Sequence, residues 1–71
     1  MVLRISPSQA ESCLGILDGL NAECETFTQK HDGSRRRPWE PGEDLLIEVD
    51  EEDAKQVLEA LDDGDVEYDE D

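Results

Sequence analysis

The stretch "LRISPSQAESCLGILD" (3–18) lies over "IEVDEEDAKQVLEALD" (47–62) without a gap, at an offset of 44 residues. Ala10, Leu14, Leu17 and Asp18 fall on Ala54, Leu58, Leu61 and Asp62. Leu3 and Ile5 fall on Ile47 and Val49, and Cys13 falls on Val57, so apolar character repeats along with identity. A chain carrying such a pseudo-repeat has to bury two copies of one pattern in one core.

Each copy reads as an alternating strand, a cap and an amphipathic helix. Leu3 and Ile5 share one strand face, as do Leu45, Ile47 and Val49, while Arg4 and Glu48 point to the other. Ser6 is expected as N-cap, Pro7 as first helical residue and Gln9 as the return partner of a capping box. In the second copy Asp50 is the expected cap, and Glu51, Glu52 and Asp53 load the first turn where the helix dipole favours negative charge. Ala10, Cys13, Leu14 and Leu17 stand at i, i+3, i+4 and i+7, matched by Ala54, Val57, Leu58 and Leu61. Each helix therefore buries one narrow stripe. Leu20 and Cys24 either extend the first stripe or follow a helix that Gly19 ends; Gly64 is expected to end the second.

"ETFTQ" (25–29) has the content of a further strand, and "VEY" (66–68) alternates Val66 and Tyr68 around Glu67. The resulting order, β-α-β-β-α-β, resembles the ferredoxin-like split βαβ architecture and implies an α+β fold with two helices on one face of a small antiparallel sheet. Residues 1–71 form a single domain on this reading, with 31–44 a long connecting loop and 69–71 a possible free tail. The "DG" at 32–33 offers an alternative, a tight turn that pairs "TFTQK" with "RRRPW" as an irregular extra strand. At 71 residues the core is small, since such a chain buries only about 60% of the surface its unfolded form exposes. Stabilisation by dimerisation or a partner suits it, and both monomer and homodimer stay open.

Catalytic signatures are sparse. His31 sits in a polar loop without a nearby cysteine or a serine placed as nucleophile, and no phosphate loop, HExxH or GxSxG occurs. "DDGDVEYDED" (62–71) lacks the oxygen-ligand spacing of an EF-hand loop. Cys13 and Cys24 stand eleven apart with no CxxC, so neither a redox motif nor a metal motif is present. No enzyme activity, cofactor or metal is expected. The start "MVLRISPSQ" carries neither a basic region nor an apolar stretch of signal length, and a cytoplasmic location follows as the expectation.

The charge is the other strong constraint. Twenty-one acids against six bases give a net charge of −15. Nucleic acid and anionic membrane are thereby excluded as direct partners on this reading, and the basic surface of a nucleic-acid-binding protein is favoured. Residues 40–71 hold sixteen of the acids and one base, Lys55. Along the second helix Glu52, Glu59 and Asp63 share one face, roughly 10 and 6 Å apart at about 1.5 Å rise per residue. With Glu48, Asp65, Glu67 and Asp69 they form the expected partner-binding surface. "RRRPW" (35–39), an arginine run in an acidic chain, reads either as a loop whose arginines pair with local acids or as a second contact through Arg35, Arg36, Arg37 and Trp39. Trp39 serves equally as a lid on the core.

In size and acidity the chain resembles small phage-encoded anti-defence proteins, including anti-CRISPR and anti-restriction inhibitors that mimic DNA. The resemblance is compositional and transfers no residue. It implies a non-enzymatic inhibitor that occupies the nucleic-acid groove of a host defence protein such as a CRISPR effector, acting in the host cytoplasm. Two other readings stand beside it: a small acidic regulatory or structural domain of a halophile, suggested by having only two lysines, and a transcription or antitoxin-type regulator that uses "RRRPW" and the open sheet face.

Overall fold

Six elements form along the chain: β1 (Val2–Ile5), α1 (Pro7–Asp18), β2 (Cys24–Phe27), β3 (Leu45–Val49), α2 (Glu51–Asp63) and β4 (Asp69–Glu70). The computed structural model describes residues 1–20, 23–29 and 35–70; His31 and the "DG" at 32–33 lie outside the described residues. All three strand pairings are antiparallel and the sheet order is β2-β3-β1-β4, compatible with the ferredoxin-like arrangement. Among the described residues no helix is long and apolar enough to cross a membrane.

The 44-residue offset is built into the sheet itself. In the central pair Leu3 stands opposite Ile47, its own counterpart in the repeat, so a pseudo-twofold axis passes through that pair. The symmetry reaches the edges, because Thr26 pairs with Ile47 on one side as Glu70 pairs with Leu3 on the other, and 26 and 70 again differ by 44.

One face of the sheet supplies Leu3, Ile5, Leu45, Ile47 and Val49 to the core, as their alternation requires. Ala10, Cys13 and Leu17 of α1 and Val57 and Leu61 of α2 close over them, with Leu14, Ala54, Leu58, Trp39 and Tyr68 half-buried at the margin. Both stripes fall where the helical spacing puts them. The opposite face carries Val2, Arg4, Leu46, Glu48, Glu25 and Phe27, of which Leu46 and Phe27 are buried.

Several expectations need correction. Ser6 and Asp50 occupy the N-cap positions but neither side chain makes a capping hydrogen bond; the Ser6 hydroxyl lies 3.1 Å from that of Ser8. Gln9 does not close a capping box. Its amide donates to the Asp65 carbonyl at 3.2 Å and its Oε1 accepts from the Glu67 amide at 2.8 Å, clamping the chain after α2. Gly19 ends α1, and Leu20 then packs on the core.

The last strand also starts later than the alternation of "VEY" suggests. The Val66 amide bonds back to the Leu61 carbonyl at 2.9 Å and the Asp65 amide to that of Asp62 at 3.2 Å, the paired bonds of a Schellman stop. Asp65, not Gly64, takes the left-handed position at φ 57°, which Asp tolerates better than most residues. That reversal uses up 64–66, so pairing begins only at Asp69–Glu70, which belong to the sheet and not to a free tail. Val66 and Tyr68 do face the helices as expected.

Candidate functional site

The partner-binding residues expected from sequence separate into two groups. Glu52, Glu59 and Asp63 are exposed on the outer face of α2, opposite the buried Val57 and Leu61. Glu48 lies on the far side of the molecule, on the sheet face away from the helices, where Arg36 holds it at 2.6 Å. Asp65 and Glu67 are exposed along the segment joining α2 to β4, and Asp69, also exposed, opens β4. Asp69 stands opposite Arg4 on the open-face side, so this segment runs from the helix end round to the sheet edge. The structure thus joins Glu52, Glu59, Asp63 and Asp65 on the helix side and leaves Glu48 apart from them.

Placement of charge at the end of α2 runs against local stability. A helix C-terminus is the negative end of its dipole and favours cations. The last turn of α2 has no basic residue and instead holds Asp62 and Asp63, with Asp65 just beyond. Among the described residues no ion pair is made by an acid of α2 or of 65–70. These aspartates break a local rule of helix stability with no compensating ion pair among the described residues.

Arginine is spent on the other side. Arg4 reaches Asp44 at 3.2 Å, Arg36 reaches Glu48 and Arg37 reaches Glu43, both at 2.6 Å. The run "RRRPW" behaves as a strap. Arg37 exchanges both backbone hydrogen bonds with Thr28 (2.7 and 2.9 Å) just past the end of β2, a single bridge where the alternative reading expected an irregular strand, and the "DG" turn of that reading lies outside the described residues. The guanidinium of Arg36 sits 4.3 Å from the Phe27 ring centroid, stacked on it. Arg35 is exposed, whereas Trp39 is half-buried on the core with its indole N–H donating to the Glu43 carbonyl at 2.7 Å, the lid role.

Sequence reasoning missed Glu25 and Asp62. Glu25 stands directly opposite Glu48 in the β2–β3 ladder, a like-charge pair that Arg36 relieves, and only the register reveals it. Asp62 coincides with Asp18 in the repeat and stands off the face shared by Glu52, Glu59 and Asp63.

Among the described residues no group of three or more His, Cys, Asp or Glu is arranged to hold a metal ion. Both cysteines are free thiols. Burial, reinforced by Cys24, pushes the Cys13 thiol up to about 11, and burial followed by the nearby Asp53 raises Cys24, so both stay protonated near neutral pH. No family model, curated protein or solved structure matches the chain.

Proposed function

We propose that the chain is a non-enzymatic inhibitor that presents the outer face of α2 and the 62–70 segment to the basic nucleic-acid groove of another protein, a host defence effector being the kind of target that fits. The reading is carried by one observation: Asp62, Asp63 and Asp65 crowd the carbonyl end of α2 with no internal counter-charge among the described residues, while the ion pairs lie elsewhere. Charge held there against the helix dipole is available to an external cation. Glu52 and Glu59 extend the same field along the helix. No large hydrophobic side chain is exposed among the described residues, which suits an electrostatic contact over an apolar one.

The test replaces Glu59, Asp63, Glu67 and Asp69 together by Gln or Asn. Wild type binds a basic nucleic-acid-binding protein in competition with duplex DNA and loses affinity steeply between about 50 and 200 mM salt, as DNA itself does. The fourfold variant binds weakly and with a shallower salt dependence. Unchanged inhibition by that variant sinks the proposal.

Salt adaptation is the second reading, favoured by exposed acids outside this surface, among them Glu11, Asp18, Glu23 and Glu25. It anticipates a gain in helix and a sharper melting transition as salt rises into the molar range, with no partner.

A further inference from the structure

The outer edge of β2 shows, through the chain's own strap, what kind of segment it accepts. In an antiparallel ladder alternate residues turn their N–H and C=O to the same side. Thr28 turns both outward, where Arg37 takes them, so Thr26 turns its own pair outward as well. Among the described residues no backbone group from outside the sheet meets Thr26. Past Arg37 the strap leaves the edge, because Pro38 follows and Trp39 is drawn into the core.

The side chains flanking this open edge repeat the chemistry that seats the strap. Arg36, the neighbour of the paired Arg37, lies over Phe27 and binds Glu48 on the open face. Two residues earlier the equivalent positions are Glu25 and Glu23, both exposed, and a recess there is lined by Glu23, Cys24, Glu25, Glu48 and Asp50. A cation carried by a strand paired at Thr26 would meet four carboxylates where Arg36 meets one. Against a second copy of this chain the same edge is repulsive, since Glu23 and Glu25 would face their like.

We propose that the β2 edge at Thr26 is a strand-addition site for an extended, arginine- or lysine-bearing segment of another protein, continuing the line the strap begins. Main-chain bonds to Thr26 supply the anchor, and the carboxylates of Glu23, Glu25 and Asp50 select a basic side chain at the adjoining positions. The site is on a different part of the molecule from the outer face of α2 and does not depend on DNA mimicry.

The probe is a capped eight-residue peptide alternating Arg and Thr, added to the ¹⁵N-labelled full chain, beside the same peptide N-methylated at every second amide. The unmodified peptide shifts the Thr26 and Glu25 amide signals and slows Thr26 hydrogen exchange at least tenfold; the N-methylated one, equal in charge, binds at least tenfold more weakly. Thr26→Pro, which removes an N–H that the inner ladder does not use, weakens the unmodified peptide to the same degree. Should that variant fail to fold, the two peptides decide alone. Equal binding of both peptides, or shifts confined to the outer face of α2, overturns the inference. The latter result leaves the acidic-surface reading standing, whereas a fourfold acid variant that loses groove binding but still captures the peptide separates the two in the opposite sense.

Discussion

Gly64 is the point where the ends of the two helices touch, and replacing it tests that contact. Its backbone (φ −88°, ψ 6°) is one any residue adopts, so Ala brings no conformational strain. Its Cβ would instead run into Cδ1 of Ile16, well inside contact distance, with Cγ1 of the same side chain 3.5 Å away. Over-packing costs about 1–3 kcal/mol, and the low end applies because Cδ1 is the tip of a side chain that can rotate. The smaller unfolded-state entropy of Ala returns about 0.4–1 kcal/mol. Gly64→Ala should therefore destabilise by no more than about 0.6 kcal/mol, and Ile16→Val, at a half-buried site, by about 0.5–1 kcal/mol. The double variant has lost the clashing methyl and gained one in its place, so its stability returns to near wild type. The cycle then shows about 0.5–1.5 kcal/mol of favourable coupling, read by urea denaturation, or as melting shifts of roughly 4–8 °C per kcal/mol for a domain this small. Additive effects, within about 0.5 kcal/mol, would falsify the packing of α1 against the end of α2.

Gly15 gives the opposite result: it lies inside α1 and an added methyl would meet nothing within 4 Å, so Gly15→Ala should raise stability by about 1 kcal/mol in thermal melts. Arg36→Ala should cost about 1 kcal/mol at low salt, from a stacking contact of about 0.5–1 kcal/mol and an exposed ion pair of about 0–1 kcal/mol, while Arg36→Lys keeps the pair and loses the stacking. Asp62→Asn with Asp63→Asn should raise the melting temperature and weaken partner binding together, since both remove charge that opposes the dipole of α2. The raised Cys13 thiol means the folded state holds its proton longer than the unfolded chain. Stability contributed by the neutral thiol is complete below about pH 9 and falls as pH rises towards about 11, a slope that Cys13→Val should reduce, leaving the part due to the raised Cys24 thiol, in denaturation midpoints measured at pH 8 and 10.5.

Much of the fold was legible from residue spacing. The matched stripes Ala10–Leu17 and Ala54–Leu61 and the alternation of Leu3, Ile5, Ile47 and Val49 report burial directly, because burial is what imposes those periods. What escaped were features set by long-range register. Asp69 and Glu70 have poor strand propensity and pair with β1 only because the Schellman stop and the Gln9 clamp deliver them there. Glu25 faces Glu48, and Arg36 covers Phe27, for the same kind of reason: partners so far apart along the chain leave no local pattern. The acids of α2 could be placed on one face from helical geometry alone, but that Glu48 belongs to the opposite side of the molecule needed the sheet.

The pseudo-twofold through Leu3 and Ile47 relates the strand pairings of the two halves while their charge differs widely. Residues 2–27 carry four acids and one base; their counterparts 46–71 carry thirteen acids and one base. Shape and electrostatics are thus written in separate alphabets, one in the inward positions and one in the outward. On the helix side of the sheet α1 carries two acids and α2 six acids with one base, so a cationic body diffusing towards that face is turned to the negative pole at α2 before any surface touches. Transplanting the outward residues of α2 onto α1 would leave the interior untouched and relocate the pole, a directional label that can be moved about a fixed chassis.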